Sequence, residues 1–510
     1  MASLVLLSTY FSVLGVLALF GIHRVLLCWW ARPSLSLEAP DHDLPAPEDL
    51  PLVLVQLPVF NEMFVAERII EAAAALEYPT ERLEIQVLDD STDETRGLIQ
   101  RKVKALAQQG IPITLLRRPN REGYKAGALA WGLKHSDAEY VAIFDADFVP
   151  SPNFLKLTLV HLIESPNCGL VQARWGHLNR DASILTRAQA VFLDGHFSIE
   201  HRGRNQAGRC FNFNGTAGVW RRKAIDEAGG WRSQTITEDF DLSYRAQLKG
   251  WKFKYCDDII VPAELPESWR AFRSQQARWT RGSIQSCRLL IKDVLGASQW
   301  TFTQRLEAVI HLTSNLTYLL MAALGILLPI TVVIRAQLGW RVPSGETILS
   351  ILDISMLTAG TLAMLVFYSR ALMTSLPQRS WHRLLDIPVA LCLGAGLSLG
   401  NAWEVLRGFV SMNSEFVRTP KKGDIDPSKP SVSYRANSTT VLLGLEIVFV
   451  TYYLSAIVYA LAHQLWAAIP FLLLYLIGFL FMSIGTISES EFKIFRRKGF
   501  SQARPRAGHL

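Results

Sequence analysis

Long apolar runs lie at both ends of the chain, and a mixed, charged pattern fills the part between them. Residues 4–22 are almost continuously apolar over about 19 positions, which is long enough to cross a bilayer. Further strong apolar segments follow the charged part, at about 308–334, 349–369, 440–461 and 465–485. The pattern therefore predicts a globular domain inserted between membrane helices.

Short apolar runs alternate with amphipathic stretches inside the globular part. The predicted strands lie at 52–59, 83–88, 113–116 and 140–144. Because helical patterns and short links separate them, the alternation predicts a parallel, doubly wound sheet. After Pro152 the order loosens, and we expect a strand near 170–175, a long helix through Gln189 and Phe197, and an Arg-rich amphipathic helix at 268–290.

The basic residues predict the orientation. No basic residue precedes the first apolar segment, whereas Arg24 and Arg32 follow it, so we expect an uncleaved anchor with the next domain in the cytosol. A weaker segment at about 384–400 contains three glycines and ends near Asn401 and Glu404. We predict that it lies in the interface or re-enters the membrane, which leaves five spans and a cytosolic C-terminus.

The predicted organisation has seven parts, in a bacterial inner membrane or an equivalent membrane. They are an anchor at 1–32, a linker at 33–50, the globular domain at 51–295, membrane and interface helices at 296–406, a cytosolic segment at 407–438, a membrane pair at 439–486 and a basic cytosolic tail at 487–510.

Composition narrows the class of protein. The 510 residues are 50% hydrophobic, which is too apolar for an ordinary soluble enzyme. The net charge of +7 is concentrated beside apolar segments, which favours membrane topology over nucleic-acid binding. The 6 cysteines are scattered without a Cys-x-x-Cys pair, so we expect neither a zinc site nor a disulfide framework.

Acidic residues recur where predicted strands end. Asp89 and Asp90 close one strand, Asp145 and Asp147 follow another, and Glu238-Asp239 come after a glycine-rich turn. Each pair alone is explained by a cap or a turn, where aspartate is common. Three such places at the carboxyl edge of one sheet indicate a ligand site, because open α/β sheets bind ligands at that edge.

Charge suggests a role for each group. Asp89 or Asp90 could accept hydrogen bonds from a nucleotide base and ribose, with Asp145 near the ribose. Asp147 would ligate Mg²⁺ or Mn²⁺ carrying a diphosphate. Asp239 could take the proton of an attacking sugar hydroxyl as general base, and Arg278 could stabilise the leaving diphosphate.

Two residues keep two interpretations each. Lys125 lies in a loop that opens a helix, and it is either a contact to the nucleotide or a solvated surface lysine. Trp279 is either an interfacial membrane anchor or a platform for the apolar face of a sugar, and its place in Gln-x-x-Arg-Trp favours the sugar.

With these motifs the chain resembles the family-2 glycosyltransferases of the cellulose synthase superfamily over about residues 50–425. The order is a strand-end Asp pair, Asp-x-Asp, Thr-Glu-Asp at 237–239 and Gln-x-x-Arg-Trp at 275–279, with membrane segments on both sides. The likeness is greatest to the plant mannan and xyloglucan-backbone synthase-like branch and its bacterial relatives. The stretches at 171–175, 213–221 and 264–266 carry it.

The resemblance implies an α/β, doubly wound, mixed-sheet domain of the GT-A type and an inverting transfer in which Asp239 is the base. It implies catalytic positions at Thr237, Glu238 and Asp239 and a diphosphate contact from Arg278. The acceptor-binding residues that it implies are Gln275, Trp279, Asn214, Gly215 and Trp175. Residues 416–421 are similar to the gating loop of cellulose synthases. This chain has Asn-Gly-Thr at 214–216, whereas cellulose synthases have a Cys-Gly-Ser-type stretch at the matching place. The resemblance therefore does not imply β-1,4-glucan specificity.

Two functions share this catalytic set. The first is a processive synthase that extends a β-linked glucan, mannan or glucomannan from UDP-glucose or GDP-mannose and moves the polysaccharide through its own membrane channel. The second is a glycolipid synthase that adds one or a few hexoses to a membrane lipid such as ceramide or diacylglycerol. A sensor or transporter without catalysis would not need Asp239 or Trp279. The gating-loop-like stretch favours the first function.

Overall fold

The computed structural model describes residues 2–32, 49–337, 347–376, 380–412 and 440–501. Most of the predicted linker at 33–50, the gating-loop-like stretch at 416–421 and the end of the predicted tail lie outside these described residues. The strands are β1 (Val53–Val59), β2 (Leu83–Asp89), β3 (Ile113–Leu116), β4 (Tyr140–Ile143), β5 (Cys168–His177), β6 (Gly218–Arg221) and β7 (Lys252–Ala263).

The strands form a mixed sheet in the order β3-β2-β1-β4-β6-β5-β7. β1 pairs in parallel with β2 on one side and with β4 on the other. β6 runs antiparallel between β4 and β5, which makes the sheet mixed. The chain reverses its direction of winding between β1 and β4, and this is where an open sheet forms a ligand crevice. The predicted doubly wound, mixed α/β fold is confirmed.

Helices cover both faces of the sheet. The first helix, α1 (Ala2–Trp30), precedes the sheet and is long and apolar. The helices that follow in the globular domain are α2 (Ala66–Ala74), α3 (Thr95–Gln108), α4 (Tyr124–Leu133), α5 (Phe154–Glu164), α6 (Ile184–Gly195), α7 (Arg202–Gln206), α8 (Arg222–Glu227) and α9 (Glu238–Leu248). Along β1, Val53, Val55 and Leu57 pack into a core on one face and Leu54 into a core on the other. This burial on both faces explains why the strands read as continuous apolar runs.

The second half of the chain is helical. Its helices are α10 (Trp269–Gly296), α11 (Phe302–Thr313), α12 (Thr317–Gln337), α13 (Thr347–Ser375), α14 (Ser380–Arg383), α15 (Asp386–Val410), α16 (Thr440–Ala462) and α17 (Ile469–Ser501). Six stretches of the described chain are long and apolar enough to cross a membrane, namely Val5–Trp30, Phe302–Ile334, Ile351–Ser375, Trp381–Val410, Val441–Ala462 and Trp466–Glu489. By helix length and composition the chain is an integral membrane protein.

Helix α15 bears on the predicted topology. It is a continuous helix within one of the six stretches long enough to cross a membrane, and the placement of this segment in the interface or as a re-entrant segment stays a prediction. Near its start Asp386 accepts a hydrogen bond of 3.1 Å from Arg187 of α6. Near its end Glu404 pairs with Arg281 of α10, through a hydrogen bond of 2.6 Å from the guanidinium Nε. Both ends of α15 therefore contact helices of the globular domain.

Helix α10 joins the globular domain to the last two membrane helices. The Ser268 side chain caps its first turn and donates to the Glu489 carboxylate of α17 across 3.1 Å. Farther along, Arg273 makes two hydrogen bonds, of 2.6 and 2.8 Å, to the buried Glu446 of α16. Because buried charges are costly unless they are paired, these contacts hold α10 firmly against α16 and α17.

Candidate active site

A cavity of about 200 Å³ opens at the carboxyl edge of the sheet, beside the point where β1 and β4 diverge. All but one of the predicted site residues line it. They are Asp90, Lys125, Asp145, Asp147, Trp175, Asn214, Gly215, Thr237, Glu238, Asp239, Gln275, Arg278 and Trp279. The exception is Asp89, which is buried and does not line the cavity.

The two aspartates at the end of β2 are each held by an arginine. The Arg117 Nε donates to Asp89 across 2.9 Å, and the other oxygen of Asp89 accepts from the Ser91 backbone N–H. Arg118 grips Asp90 with two hydrogen bonds, of 2.8 and 2.5 Å. Asp89 thus stabilises the turn after β2, and Asp90 is the member of the pair that faces the cavity.

Lys125 lies at the centre of the site. Its ammonium donates to Asp145 across 2.5 Å and to the Gly215 carbonyl oxygen across 2.8 Å. Burial opposes the charge, but the carboxylates of Asp145 and Glu238 outweigh burial and raise the pKa of Lys125. The interpretation of Lys125 as a solvated surface lysine is therefore wrong.

Asp145 and Asp147 follow β4 and face the same cavity. The backbone N–H of Asp145 donates to Thr216 Oγ1 across 2.9 Å, which fixes the turn after the strand. Among the described residues there is no cluster of three or more His, Cys, Asp or Glu side chains that could hold a metal ion. A cation at this place would therefore take one or two carboxylates from the protein and its other oxygen ligands from elsewhere, which is how Mg²⁺ commonly binds with phosphates.

Glu238 and Asp239 begin α9, and Thr237 precedes them. Burial raises the pKa of Asp239 to about 6, and the charge of Lys125 opposes that rise. Burial and the neighbouring Asp239 raise the pKa of Glu238 to about 7. Two carboxyl groups with raised pKa values at one place are what general acid–base chemistry near neutral pH requires.

Gly215 brings the chain close to Asp239. Its φ is +81°, and a Cβ atom there would lie 2.9 Å from Asp239 Oδ2. Only glycine combines this backbone conformation with so close an approach.

One face of α10 closes the other side of the cavity. Gln275, Arg278 and Trp279 are spaced three and four residues apart, so they share this face. Burial lowers the pKa of Arg278, and the charges of Asp145 and Glu238 oppose that effect. Gly282 allows the approach of α10, because a Cβ atom there would lie 2.5 Å from the Thr237 side chain.

A second cavity, of about 530 Å³, continues from the first into the bundle of membrane helices. Seven residues line both cavities, namely Trp175, Leu193, Asn214, Thr237, Asp239, Gln275 and Trp279. Much of the remaining lining is aromatic and apolar and comes from α1, α12, α13 and α17, among them Phe20, Tyr318, Met364 and Tyr475, and polar side chains such as Gln189 and Asn315 also line it. We call this second cavity the channel. Trp279 lies between the two cavities, which favours a contact to sugar over a membrane anchor.

Some residues at the site were not singled out from the sequence. The guanidinium carbon of Arg121 lies 3.4 Å from the centre of the Phe60 ring. Both residues line the cavity at the sheet edge, which we call the polar cavity. Arg68 pairs with Glu264 across 2.7 Å near Asp147. The Glu62 side chain also lines this cavity. Residues 58–62, at the end of β1, could have indicated this part of the site, because they occupy the same strand edge as the aspartates.

Part of this chain matches a known protein family, and the chain is similar to several plant proteins. Residues 140–369 match the family model described as glycosyl transferase family group 2. The chain is 44% identical over 297 residues to "Glucomannan 4-beta-mannosyltransferase 2" of Arabidopsis thaliana, covering 57% of this chain and 56% of the relative. It is 40% identical over 332 residues to "Probable glucomannan 4-beta-mannosyltransferase 9" of Oryza sativa subsp. japonica, covering 62% of each.

These matches span about half to three-fifths of the relatives' own length. Among solved structures, a mannosyltransferase from Pyrobaculum calidifontis in complex with GDP-Man and Mn²⁺ shares 19% sequence identity at a TM-score of 0.47. The aligned part covers 73% of this chain and 99% of the Pyrobaculum calidifontis chain. Residues 140–369 therefore form a glycosyl transferase domain of family group 2, and the chain is similar to plant proteins named as glucomannan 4-beta-mannosyltransferases.

Proposed function

We propose that the chain is a membrane-embedded, inverting hexosyltransferase that extends a β-linked polysaccharide of the mannan or glucomannan type. One observation carries this proposal: Asp239 lines both the polar cavity and the channel. A base at that junction can meet a nucleotide-sugar on one side and a sugar chain on the other. The related plant proteins are named as glucomannan mannosyltransferases, which favours GDP-mannose over UDP-glucose as donor.

The polar cavity suits a nucleoside diphosphate. Asp90 offers carboxylate oxygens to the N–H and O–H donors of a base or ribose, and Arg278 offers a cation to the diphosphate. Asp147 and Asp145 are hard oxygen donors at one strand end, and they fit Mg²⁺ or Mn²⁺ together with phosphate oxygens. The ion, when bound, would neutralise charge on the leaving diphosphate.

The residues of this chain then perform the transfer. Ionised Asp239 takes the proton from an acceptor hydroxyl while that oxygen forms its bond to the anomeric carbon. The bond from the anomeric carbon to the diphosphate oxygen breaks on the opposite side, which inverts the configuration. Arg278 stabilises the negative charge that develops on the departing diphosphate. Gln275 and Trp279 hold the terminal sugar of the acceptor in line for the attack.

The channel favours a polysaccharide acceptor over a lipid headgroup. It is continuous with the polar cavity and lined by aromatic rings and polar groups from several membrane helices. Aromatic faces pack against sugar rings, and a row of them lets a chain slide without a fixed register. The glycolipid synthase remains the alternative, because the same catalytic residues would serve it.

The proposed orientation has the globular domain on the cytosolic side. Arg24 near the end of the first span and Arg32 just after it, together with the contacts of α15 with α6 and α10, support this orientation. With α15 along the cytosolic surface, five helices cross the membrane and the C-terminus is cytosolic.

Product analysis tests the proposal. Membranes containing the full chain are incubated with radiolabelled GDP-mannose or UDP-glucose, and products are separated into organic-soluble and polymeric fractions. We expect polymeric label that an endo-β-mannanase releases, and none from the Asp239→Asn variant. Label found only in the organic phase would favour the glycolipid synthase and reject polysaccharide synthesis. No transfer from either donor would reject the function altogether.

A further inference from the structure

The side chain of Gln285 joins the end of α15 to residues 235–239, which lead into α9 and which we call the catalytic segment. Gln285 lies on α10, about two turns after Arg278, and it is fully buried. Its Oε1 accepts a hydrogen bond of 3.1 Å from the Ile236 backbone N–H, and its Nε2 donates one of 2.9 Å to the Ser411 carbonyl oxygen. Ser411 directly follows α15, so a single amide bridges the two segments.

The two partners fix the direction of this amide. A backbone N–H can only donate and a carbonyl oxygen can only accept, so the amide oxygen must face Ile236 and the amide NH₂ must face Ser411. Gln285 Nε2 also lies 3.4 Å from the carbonyl oxygen of Met412, the next residue along the chain. A side chain therefore makes this bridge only if it offers both an acceptor and a donor.

The catalytic segment is held by α10 instead of by a cap of its own. Thr237 is at the N-cap position of α9, but within the described chain its side chain makes no capping hydrogen bond. Its hydroxyl lies 3.1 Å from Ser286 Oγ of α10, and the Thr235 hydroxyl donates to the Thr237 carbonyl oxygen across 3.1 Å. A side-chain cap is the usual way to fix the first turn of a helix. Here the place of Asp239 depends on side chains of α10.

The same stretch of α10 holds the end of α15. The Arg288 guanidinium donates to the Gly408 carbonyl oxygen across 2.9 Å, and a Cβ atom on Gly408 would lie 2.9 Å from Ile284 Cβ. Beyond Gly408, Met412 lines a small cavity of about 20 Å³ together with Glu238 and other residues of the site. The end of α15 therefore reaches the back of the active site, and Gln285 can pass a shift of α15 to the catalytic segment.

We propose that Gln285 is a positioning residue for the transfer reaction, which sets the place of the Asp239 carboxylate relative to the end of α15. The inference rests on the proposed function, because it takes Asp239 as the base. A base that is out of place removes the acceptor proton more slowly, whereas the contacts of the donor remain. Loss of the bridge should therefore lower kcat and spare donor binding.

Steady-state kinetics of the full chain in membranes test the proposal, with GDP-mannose, or with UDP-glucose if the wild type transfers that sugar. Gln285→Met keeps the length of the side chain and removes both hydrogen bonds. We expect kcat to fall about tenfold and the KM for the donor to stay within twofold. Gln86→Met is the matched control and should keep its kcat within about twofold of the wild type. Gln86 is a buried glutamine of β2 that donates to the Gly132 carbonyl oxygen of α4 across 3.1 Å.

Gln285→Glu separates the bridge from simple packing, and it is the second variant if Gln285→Met does not fold. Its neutral carboxyl can accept from Ile236 and donate to Ser411, whereas the ionised carboxylate can only accept. Burial favours the neutral form, so transfer should lie within about threefold of the wild type near pH 6 and fall about tenfold below it near pH 9. A profile parallel to that of the wild type would overturn the bridge to Ser411.

A double-mutant cycle tests the dependence on α15. Gly408→Ala pushes the end of α15 away from Ile284, and kcat should fall about fivefold in the wild type but less than twofold in Gln285→Met. Equal losses in the two backgrounds, or a donor KM in Gln285→Met that rises as much as kcat falls, would overturn the proposal. A wild type that transfers sugar while Gln285→Met keeps its kcat refutes only this inference. A wild type that transfers sugar from neither donor refutes the proposed function as well.

Discussion

The Lys125 ammonium donates a hydrogen bond to the Asp145 carboxylate across 2.5 Å, and this contact joins the loop before α4 to the end of β4. The same ammonium binds the Gly215 carbonyl oxygen, which lies beside Asp239. The Lys125 ammonium therefore links Asp145, a proposed metal ligand, to the Gly215 turn, which lies beside Asp239, the proposed base. Its charge opposes the rise that burial causes in the pKa of Asp239.

Replacing Lys125 should change the pH dependence of transfer. Lys125→Met removes a charge that lowers the pKa of Asp239, so that pKa should rise and the acidic limb of the rate profile should move to higher pH. Lys125→Arg keeps the charge and should shift the limb less. Lys134→Met, at an exposed lysine at the other end of α4, is the matched control. An unchanged acidic limb in Lys125→Met would contradict the electrostatic role.

The wild-type profile itself gives a second prediction. Asp239 acts as a base only when it is ionised, and its pKa is raised to about 6. Transfer should therefore fall as the pH decreases from 7 to 6, the range in which Asp239 and Glu238 titrate together. An unperturbed aspartate would lose its charge only near pH 4. Asp239→Asn should lower kcat by about 10²–10⁴-fold and leave nucleotide affinity nearly intact. Transfer above a few per cent of the wild-type rate would reject Asp239 as the base.

Chelation should stop the reaction. If Asp147 and Asp145 bind a divalent cation, EDTA should abolish transfer and Mg²⁺ or Mn²⁺ should restore it. Asp147→Asn should raise the metal concentration needed for half-maximal rate, whereas Asp137→Asn, at an exposed aspartate, should not. Full turnover in the presence of EDTA would reject the metal site.

Trp279 should govern product length more than donor binding. Trp279→Ala removes a ring that lies between the polar cavity and the channel, so products should shorten or disappear while GDP-mannose still binds. Trp279→Phe keeps an aromatic face and should give intermediate lengths, as judged by gel filtration of the products. Trp381→Ala removes a tryptophan that is 76% exposed and serves as control. Unchanged product length in Trp279→Ala would reduce Trp279 to a membrane anchor.

Labelling in intact cells checks the topology. A cysteine introduced near residue 421 should resist a membrane-impermeant thiol reagent, and one replacing Gln337, at the end of α12 that we expect outside, should react. The background should be low, because all six native cysteines are buried. Labelling near residue 421 from the outside would overturn the cytosolic assignment of the segment at 407–438 and the interfacial assignment of α15.

Strands β1, β2 and β4 were predictable because they are largely apolar and buried on both faces, whereas the edge strand β3, with its exposed Thr114, was predicted from a short apolar run alone. β6 was not predicted, because Gly218 and Arg221 enclose only two apolar residues. β7 was missed because polar residues such as Lys252 and Lys254 interrupt its pattern. A strand whose side chains meet solvent and ligand loses the simple apolar signal.

Most of the site was predictable from motifs at strand ends, because parallel strands bring their carboxyl ends to one edge. The partners of these residues were not. Asp89 and Asp90 look alike in sequence, and only the three-dimensional pairing with Arg117 and Arg118 separates a buried support from a cavity residue. The contacts that join Arg24 to Asn214 were equally hidden in the sequence. Arg24 of α1 pairs with Glu200, Glu200 lies beside His196, and His196 bonds to Asn214, which is 190 positions after Arg24.

Glu489 of α17 accepts hydrogen bonds from the Ser268 hydroxyl and from the backbone N–H groups of Trp269 and Arg270, and it thus adds a second cap to α10; the soluble and membrane halves are therefore not separable pieces. The helix that carries Gln275, Arg278 and Trp279 begins on a carboxylate from the last membrane helix. A fragment that ended at Gly296 would keep every residue proposed here for catalysis, yet it would lose that cap and leave Arg273 without Glu446. The position of the diphosphate contact and of the acceptor residues on α10 therefore depends on residues of α16 and α17, about 170–220 positions farther along the chain.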